Sequence, residues 1–127
     1  MDSADLTAMG FTGTKPSAAG SQCSWNGPAG ASVRIVWQTV AVNGLDSVYA
    51  EKSSMYYFQP TTVLGYPAVY ASPFSDRRAD GDCVLYTGVS NNSVFSTEYV
   101  TAPANTGQAC ALARTAAAQV VRNLGGA

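Results

Sequence analysis

TTVLGYPAVYASPFSDRRADGDCVLYTGVSNNSVFSTEYV, Thr61 to Val100, is the stretch that decides how this chain folds. It holds three runs rich in β-branched and aromatic residues: TTVLGYPAVYAS (61–72), DCVLYTGV (82–89) and SVFSTEYV (93–100). Such runs fit a pleated, half-buried surface. SDRRADGD between the first two is polar and charged, as hairpin tips are, and SNN between the last two signals a tight turn. Strands joined this closely pair antiparallel, because a parallel connection needs a crossover of a dozen residues or more. The first run is expected as one strand, broken or bulged from Gly65 to Pro67. Pro67 has no backbone donor and is expected at an edge or a bulge.

Upstream, a strand is expected around Cys23 and Trp25, then a turn at NGPAG (26–30), then ASVRIVWQT (31–39). There Val33, Ile35 and Trp37 alternate with Arg34, Val36 and Gln38, the period of a strand with one wetter face. Lys15 to Ser21 reads as a polar loop. Three helices complete the order. The first starts at an Asp2 or Ser3 cap and stops at Gly10. The second starts at Asn43 or Gly44, carries Leu45, Val48 and Tyr49 on one face and ends before Tyr56. The third, Gln108 to Leu124, has Asn105 as N-cap and Gly125 and Gly126 as its stop. Turned at about 100° per residue, it gathers Cys110, Ala113, Ala117, Val120, Val121 and Leu124 into one stripe. The layout is α+β: an antiparallel sheet with N-terminal, middle and C-terminal helices packed on it.

The chain has 127 residues, enough for one domain with its own core. Seven basic and eight acidic residues leave it about neutral, with no basic stripe for nucleic acid. Charged residues make up 12%, about half the usual share, so the surface is expected to be polar and weakly charged, as on secreted proteins. Residues 1–127 are expected to form a single extracytoplasmic domain. The abrupt start at MDSADLTAMGF is expected to follow a removed signal peptide and linker.

Three cysteines leave one over if disulfides form. Cys23 with Cys83 is the preferred bridge, since both open strands, and closing that loop would stabilise the fold by about 4 kcal/mol. Cys110 is then unpaired. The alternative is three buried thiols acting as small apolar residues.

Leu6-x-x-Met9-Gly10, Cys23-Ser24-Trp25, Gly44-Leu45-Asp46 with Tyr49 and Ala50, Val63-Leu64-Gly65-Tyr66-Pro67-Ala68-Val69, Cys83-x-Leu85 and Cys110-x-x-Ala113 occur in this order. Together they resemble the actinobacterial lipoproteins called domain of unknown function 3558, over nearly the whole chain. The resemblance implies an exported, lipid-tethered protein with a Mog1/PsbP-like fold, an antiparallel sheet between helices. It also implies a further cysteine upstream of Met1 as the partner of Cys110. It supplies no reaction.

The chain contains no histidine, which excludes His-based triads and His-ligated zinc or haem. No catalytic residue, metal or cofactor is expected. Asp76, Asp80 and Asp82 lack the spacing of an EF-hand and read as a charged hairpin tip. No Asp or Glu stands in an apolar sequence context that would raise its pKa, so a carboxylate-based hydrolase is the remote alternative. Aromatics offer the one functional signal, because tyrosine combines rigid area with a polar tip. Tyr56, Tyr57, Tyr66 and Pro67, with Arg77 and Arg78, are the expected contact surface for a protein partner, envelope component or small ligand. A structural subunit with no ligand, presenting a flat Tyr-lined surface, is the other alternative.

Overall fold

The computed structural model describes residues 17–19, 22–26, 31–38, 45–73, 75–90, 93–101 and 107–125. The expected first helix, Gly27 to Gly30 of the NGPAG turn, the Asn91-Asn92 turn and the Asn105 cap lie outside the described residues. Among the described residues, seven strands form one antiparallel sheet: β1 (Ser17–Ala19), β2 (Gln22–Asn26), β3 (Ser32–Trp37), β4 (Tyr57–Val63), β5 (Tyr66–Ser72), β6 (Asp82–Ser90) and β7 (Ser93–Val100). Their order across the sheet is β1-β2-β3-β7-β6-β5-β4. Two meanders, β1 to β3 and β4 to β7, thus meet along a single β3–β7 seam. Helix α1 (Leu45–Tyr49) and helix α2 (Ala109–Gly125) complete the α+β fold.

Several expectations change. Within the polar loop expected at Lys15 to Ser21, Ser17–Ala19 forms a short strand paired with β2. The run 61–72 is not one interrupted strand but most of a hairpin, β4 and β5, turning at Leu64 and Gly65 between the registered pair Val63 and Tyr66. Both turn residues have positive φ, 49° and 88°, the geometry of the two-residue turns that match strand twist. Gly65 adopts it without strain, whereas Leu64 carries a Cβ that disfavours it. Leu64 is 52% exposed, so little packing offsets that cost. Leu64→Asn is therefore expected to stabilise the protein by about 0.5–1 kcal/mol, read as a higher denaturation midpoint at unchanged slope. A lower midpoint would mean that the leucine side chain contributes more than its backbone costs. Pro67 pairs with Thr62 but precedes the β5–β6 ladder, which covers Ala68 to Tyr70, so no partner on β6 needs its missing N–H. Pro60 is tolerated because β4 is an edge strand.

The middle helix is a single α-turn followed by a 3-10 turn, Lys52–Ser54. Leu45 and Val48 are buried, but the next position on their face is Lys52, so nothing apolar anchors a further turn. α1 lies on one sheet face over Val69, Ala71 and Val94, with Met55, Phe58 and Tyr86 packed beside them. It approaches so closely that a Cβ on Gly88 would stand 3.0 Å from the Leu45 Cβ. The other face carries α2, whose Ala113, Ala116 and Ala117 are fully buried against a core including Val33, Leu85 and Phe95. Alanine at the contact lets the helix axis come close to the sheet. There the Thr97 hydroxyl donates to the Ala113 carbonyl at 2.9 Å.

The disulfide expectation is corrected: Cys83 is bonded to Cys110. Cys23 stands opposite Ile35, Ile35 opposite Thr97 and Thr97 opposite Leu85, so two strands separate β2 from β6. Three strand spacings amount to roughly 14 Å, about twice the reach of a disulfide between Cα atoms. Cys83 instead faces the helix layer, and the first turn of α2 brings Cys110 to a Cα separation of 5.0 Å. Cys110 thus needs no partner from upstream.

Candidate functional site

α1 covers only one end of its sheet face. Across the remainder, a groove of about 560 Å³ opens over β3, β7 and β6 and reaches the Ser72–Arg77 connection. The strand period aims Arg34, Val36, Val84, Tyr86, Ser96 and Glu98 at it from three neighbouring strands.

Glu98 lies at the centre. It is registered against Arg34 of β3, with which it forms an ion pair, and against Val84 of β6. Asp82 precedes Val84 by one step on the same face and hydrogen-bonds Glu98. Burial first, then this contact with Asp82, push the Glu98 carboxyl up to about 7, against the pull of Arg34. The side chain of Arg34 is 48% exposed and that of Glu98 only 20%, so water screens the arginine's pull while the acid bears the desolvation. Asp82 Oδ1 is buried and accepts from no N–H or hydroxyl donor among the described residues. Gln38 closes the seam end, its amide nitrogen donating to Ser96 Oγ at 3.0 Å.

Tyr57 forms the opposite wall. The β5–β6 ladder stops at Tyr70 and Leu85, and the Val84 N–H beyond it donates to the Tyr57 hydroxyl at 3.0 Å. Burial raises the pKa of that hydroxyl. The Arg78 guanidinium lies 4.1 Å from the Tyr57 ring centre and is held by Asp76 through bonds of 2.9 and 2.8 Å. Tyr57→Phe is expected to cost about 1–2 kcal/mol, because the Val84 N–H loses its acceptor inside the protein. Hydrogen exchange at that amide should accelerate with it, and an unchanged rate would show that another acceptor takes over.

The six residues expected as one contact surface are divided between two places. Tyr57 and Arg77 line the groove, and Arg78 packs on Tyr57. Tyr66 and Pro67 border a second cleft of about 490 Å³, with Leu45, Asp46, Gly88 and Val89. The length of β5, roughly 20 Å, lies between the two groups. Tyr56 is 64% exposed and Tyr57 only 7%.

Sequence reasoning missed Glu98 and gave Asp82 no role beyond the charged tip and the start of a strand, where it does open β6. The expectation that no acid has a raised pKa is likewise corrected by Glu98. Its parity gave a partial signal, since Arg34 and Glu98 both occupy the wetter face of their strands. Pairing β3 with β7 is what joins them. Chemically, two hydrogen-bonded carboxyl groups, one titrating near neutrality, can hold a proton and can donate and accept hydrogen bonds at one point. Among the described residues no group of three or more acidic or thiol side chains is placed to hold a metal ion.

A family model described as "Protein of unknown function (DUF3558)" matches residues 2–123. No curated protein and no solved structure matches the chain.

Proposed function

Since the chain belongs to the DUF3558 family, proteins of unknown function, we propose its role from its site: a non-catalytic, extracytoplasmic domain of a bacterial surface lipoprotein. On this reading it binds an envelope component or small ligand in the groove centred on Glu98. The observation that carries the reading is the groove itself, a concavity of mixed polar and apolar lining over strands that no described helix covers. A ligandless structural subunit would present a flat surface there. The Cys83–Cys110 bond supports an oxidising compartment, and among the described residues no helix is long and apolar enough to cross a membrane. Helices on both sheet faces support kinship with the Mog1/PsbP fold.

The carboxyl geometry argues against a glycosidase, whereas two close carboxyls in one pocket are the feature that the alternative reading, a carboxylate-based enzyme of another kind, would require. Glycosidases hold their two carboxyl groups about 5–9.5 Å apart to accommodate the scissile bond or a water. Glu98 and Asp82 are in direct hydrogen-bond contact, which leaves no such space between them.

The test is an NMR screen of isotope-labelled protein against a library of small polar molecules. Ligand-dependent shifts should concentrate at the amides of Arg34, Val84, Tyr86 and Glu98. A library that leaves these amides still would overturn the groove as a binding site. For the anchor, the full-length protein expressed in an actinobacterium should incorporate a clickable fatty acid, and its failure to do so would remove the lipoprotein assignment.

A further inference from the structure

Resting on the reading of the groove as a ligand site, we propose that its occupant is a neutral, hydroxyl-rich molecule of the saccharide type. Arg34, Gln38, Asp82 and Glu98 would hold it as a set of donors and acceptors. Arg34 and Glu98 are neighbours across the β3–β7 seam, Asp82 follows on β6, and Arg77 stands at the far rim. Two arginines therefore flank two neighbouring acids along the groove. An anionic ligand long enough to fill it would lie against Asp82, and a polyamine would lie against Arg34 and Arg77. An apolar ligand would strip water from these groups and offer no hydrogen bond in return.

A hydroxyl group avoids each conflict because it both donates and accepts. Asp82 Oδ1, buried and accepting from no N–H or hydroxyl among the described residues, is an acceptor for one such donor. The amide nitrogen of Gln38 is committed to Ser96, which turns the role of Gln38 toward its carbonyl oxygen. Arg77 is 63% exposed and its nearest acid, Asp80, is 3.9 Å away, so its guanidinium can reach ligand oxygens. Glu98 carries its proton below neutral pH and donates or accepts according to that proton. A run of vicinal hydroxyls on a sugar chain can meet both the arginine donors and the carboxyl acceptors, whereas a ligand with one polar end would satisfy only part of the set.

The test is a titration of isotope-labelled protein, followed by amide chemical shifts, with soluble linear tetrasaccharides of arabinose, galactose, mannose and glucose. A sulfated tetrasaccharide, spermidine and glycine serve as anionic, cationic and zwitterionic contrasts. At least one neutral sugar is expected to move the amides of Val84, Tyr86 and Glu98 in a saturable way. Asp82→Asn, which keeps the side chain's size, should weaken that binding roughly tenfold while amides elsewhere keep their positions and report an intact fold. Arg122→Ala, on the exposed side of α2, should bind as the parent does. Movement of the groove amides by a contrast ligand alone would overturn the saccharide assignment and leave the groove reading standing. Neutral-sugar binding registered only elsewhere on the protein would also overturn it. Silence of the groove toward all seven probes would remove both.

Discussion

Reduction of the Cys83–Cys110 bond is expected to lower the thermal midpoint by roughly 10 °C or more. The bond spans 27 positions, and a loop of that size removes about 3–4 kcal/mol of chain entropy from the unfolded state in the entropic account. For a chain of 127 residues, that corresponds to a shift of about 10–15 °C. The bond also has a local consequence, since it ties the start of α2 to β6, where Ala113 and Ala116 begin the packed face. Cys83→Ala with Cys110→Ala should reproduce the shift without reductant. Coincident melting of oxidised and reduced protein would refute a structural disulfide. Non-reducing peptide mapping should join the Cys83 and Cys110 peptides, and a Cys23–Cys83 pair would contradict the strand order.

Stability is expected to fall by about 2 kcal/mol as pH rises from about 4.5 to about 7, the reverse of a protein whose acids are stabilised by ion pairs. Glu98 is the cause. Its carboxyl titrates near its ordinary value of 4.5 when unfolded but is held up to about 7 in the fold, by burial and by Asp82. Between those values the folded state binds more protons than the unfolded state, so removing protons favours unfolding. The contribution is fully present below about 4.5 and is lost as pH climbs through about 7. Arg34 from β3 works against the rise, and Asp82 and Tyr86 from β6 are the other titratable groups beside Glu98. Asp76 behaves oppositely, since its hydrogen bond with Arg78 lowers its pKa and its contribution is lost only below the usual carboxylate range. Glu98→Gln keeps the shape without the ionisation. Denaturant midpoints of the variant should be flat across this window, with the parent sloping downward. Parallel slopes for the two proteins would assign the effect elsewhere.

Most of the strands and the closing helix could be read from the sequence because their patterns are local. Val33, Ile35 and Trp37 announced β3 by alternation, and the Ala-rich stripe from Ala113 to Val121 announced α2 by helical period. Of the expected stripe, Ala113, Ala117, Val120 and Val121 are buried and Cys110 is half-buried, Ala109 and Ala116 join the buried face, and the Leu124 side chain lies outside the described residues. The β4–β5 turn was missed because leucine is a poor guide to a left-handed backbone, so Leu64-Gly65 looked like an interruption and not a reversal. Strand order was not legible at all. Nothing near Val33 specifies that it will lie beside Tyr99, and both the separation of Cys23 from Cys83 and the Arg34–Glu98 pair depend on that choice. The groove shares this dependence, since its two acids come from different strands and its walls from elements far apart in the chain.

The β3–β7 seam also bears on how the molecule assembles. Each meander closes through neighbours in sequence, but Arg34 must find Glu98 across a separation of 64 residues. Contacts of such range are entropically expensive to close and slow the folding of sheets that depend on them. In a chain emerging N-terminus first, β1 to β3 would appear first and wait with the seam edge of β3 unpaired until β7 arrived. The groove, which straddles this junction, would then be among the last features to form. A population caught before the join would expose an open strand edge and no groove.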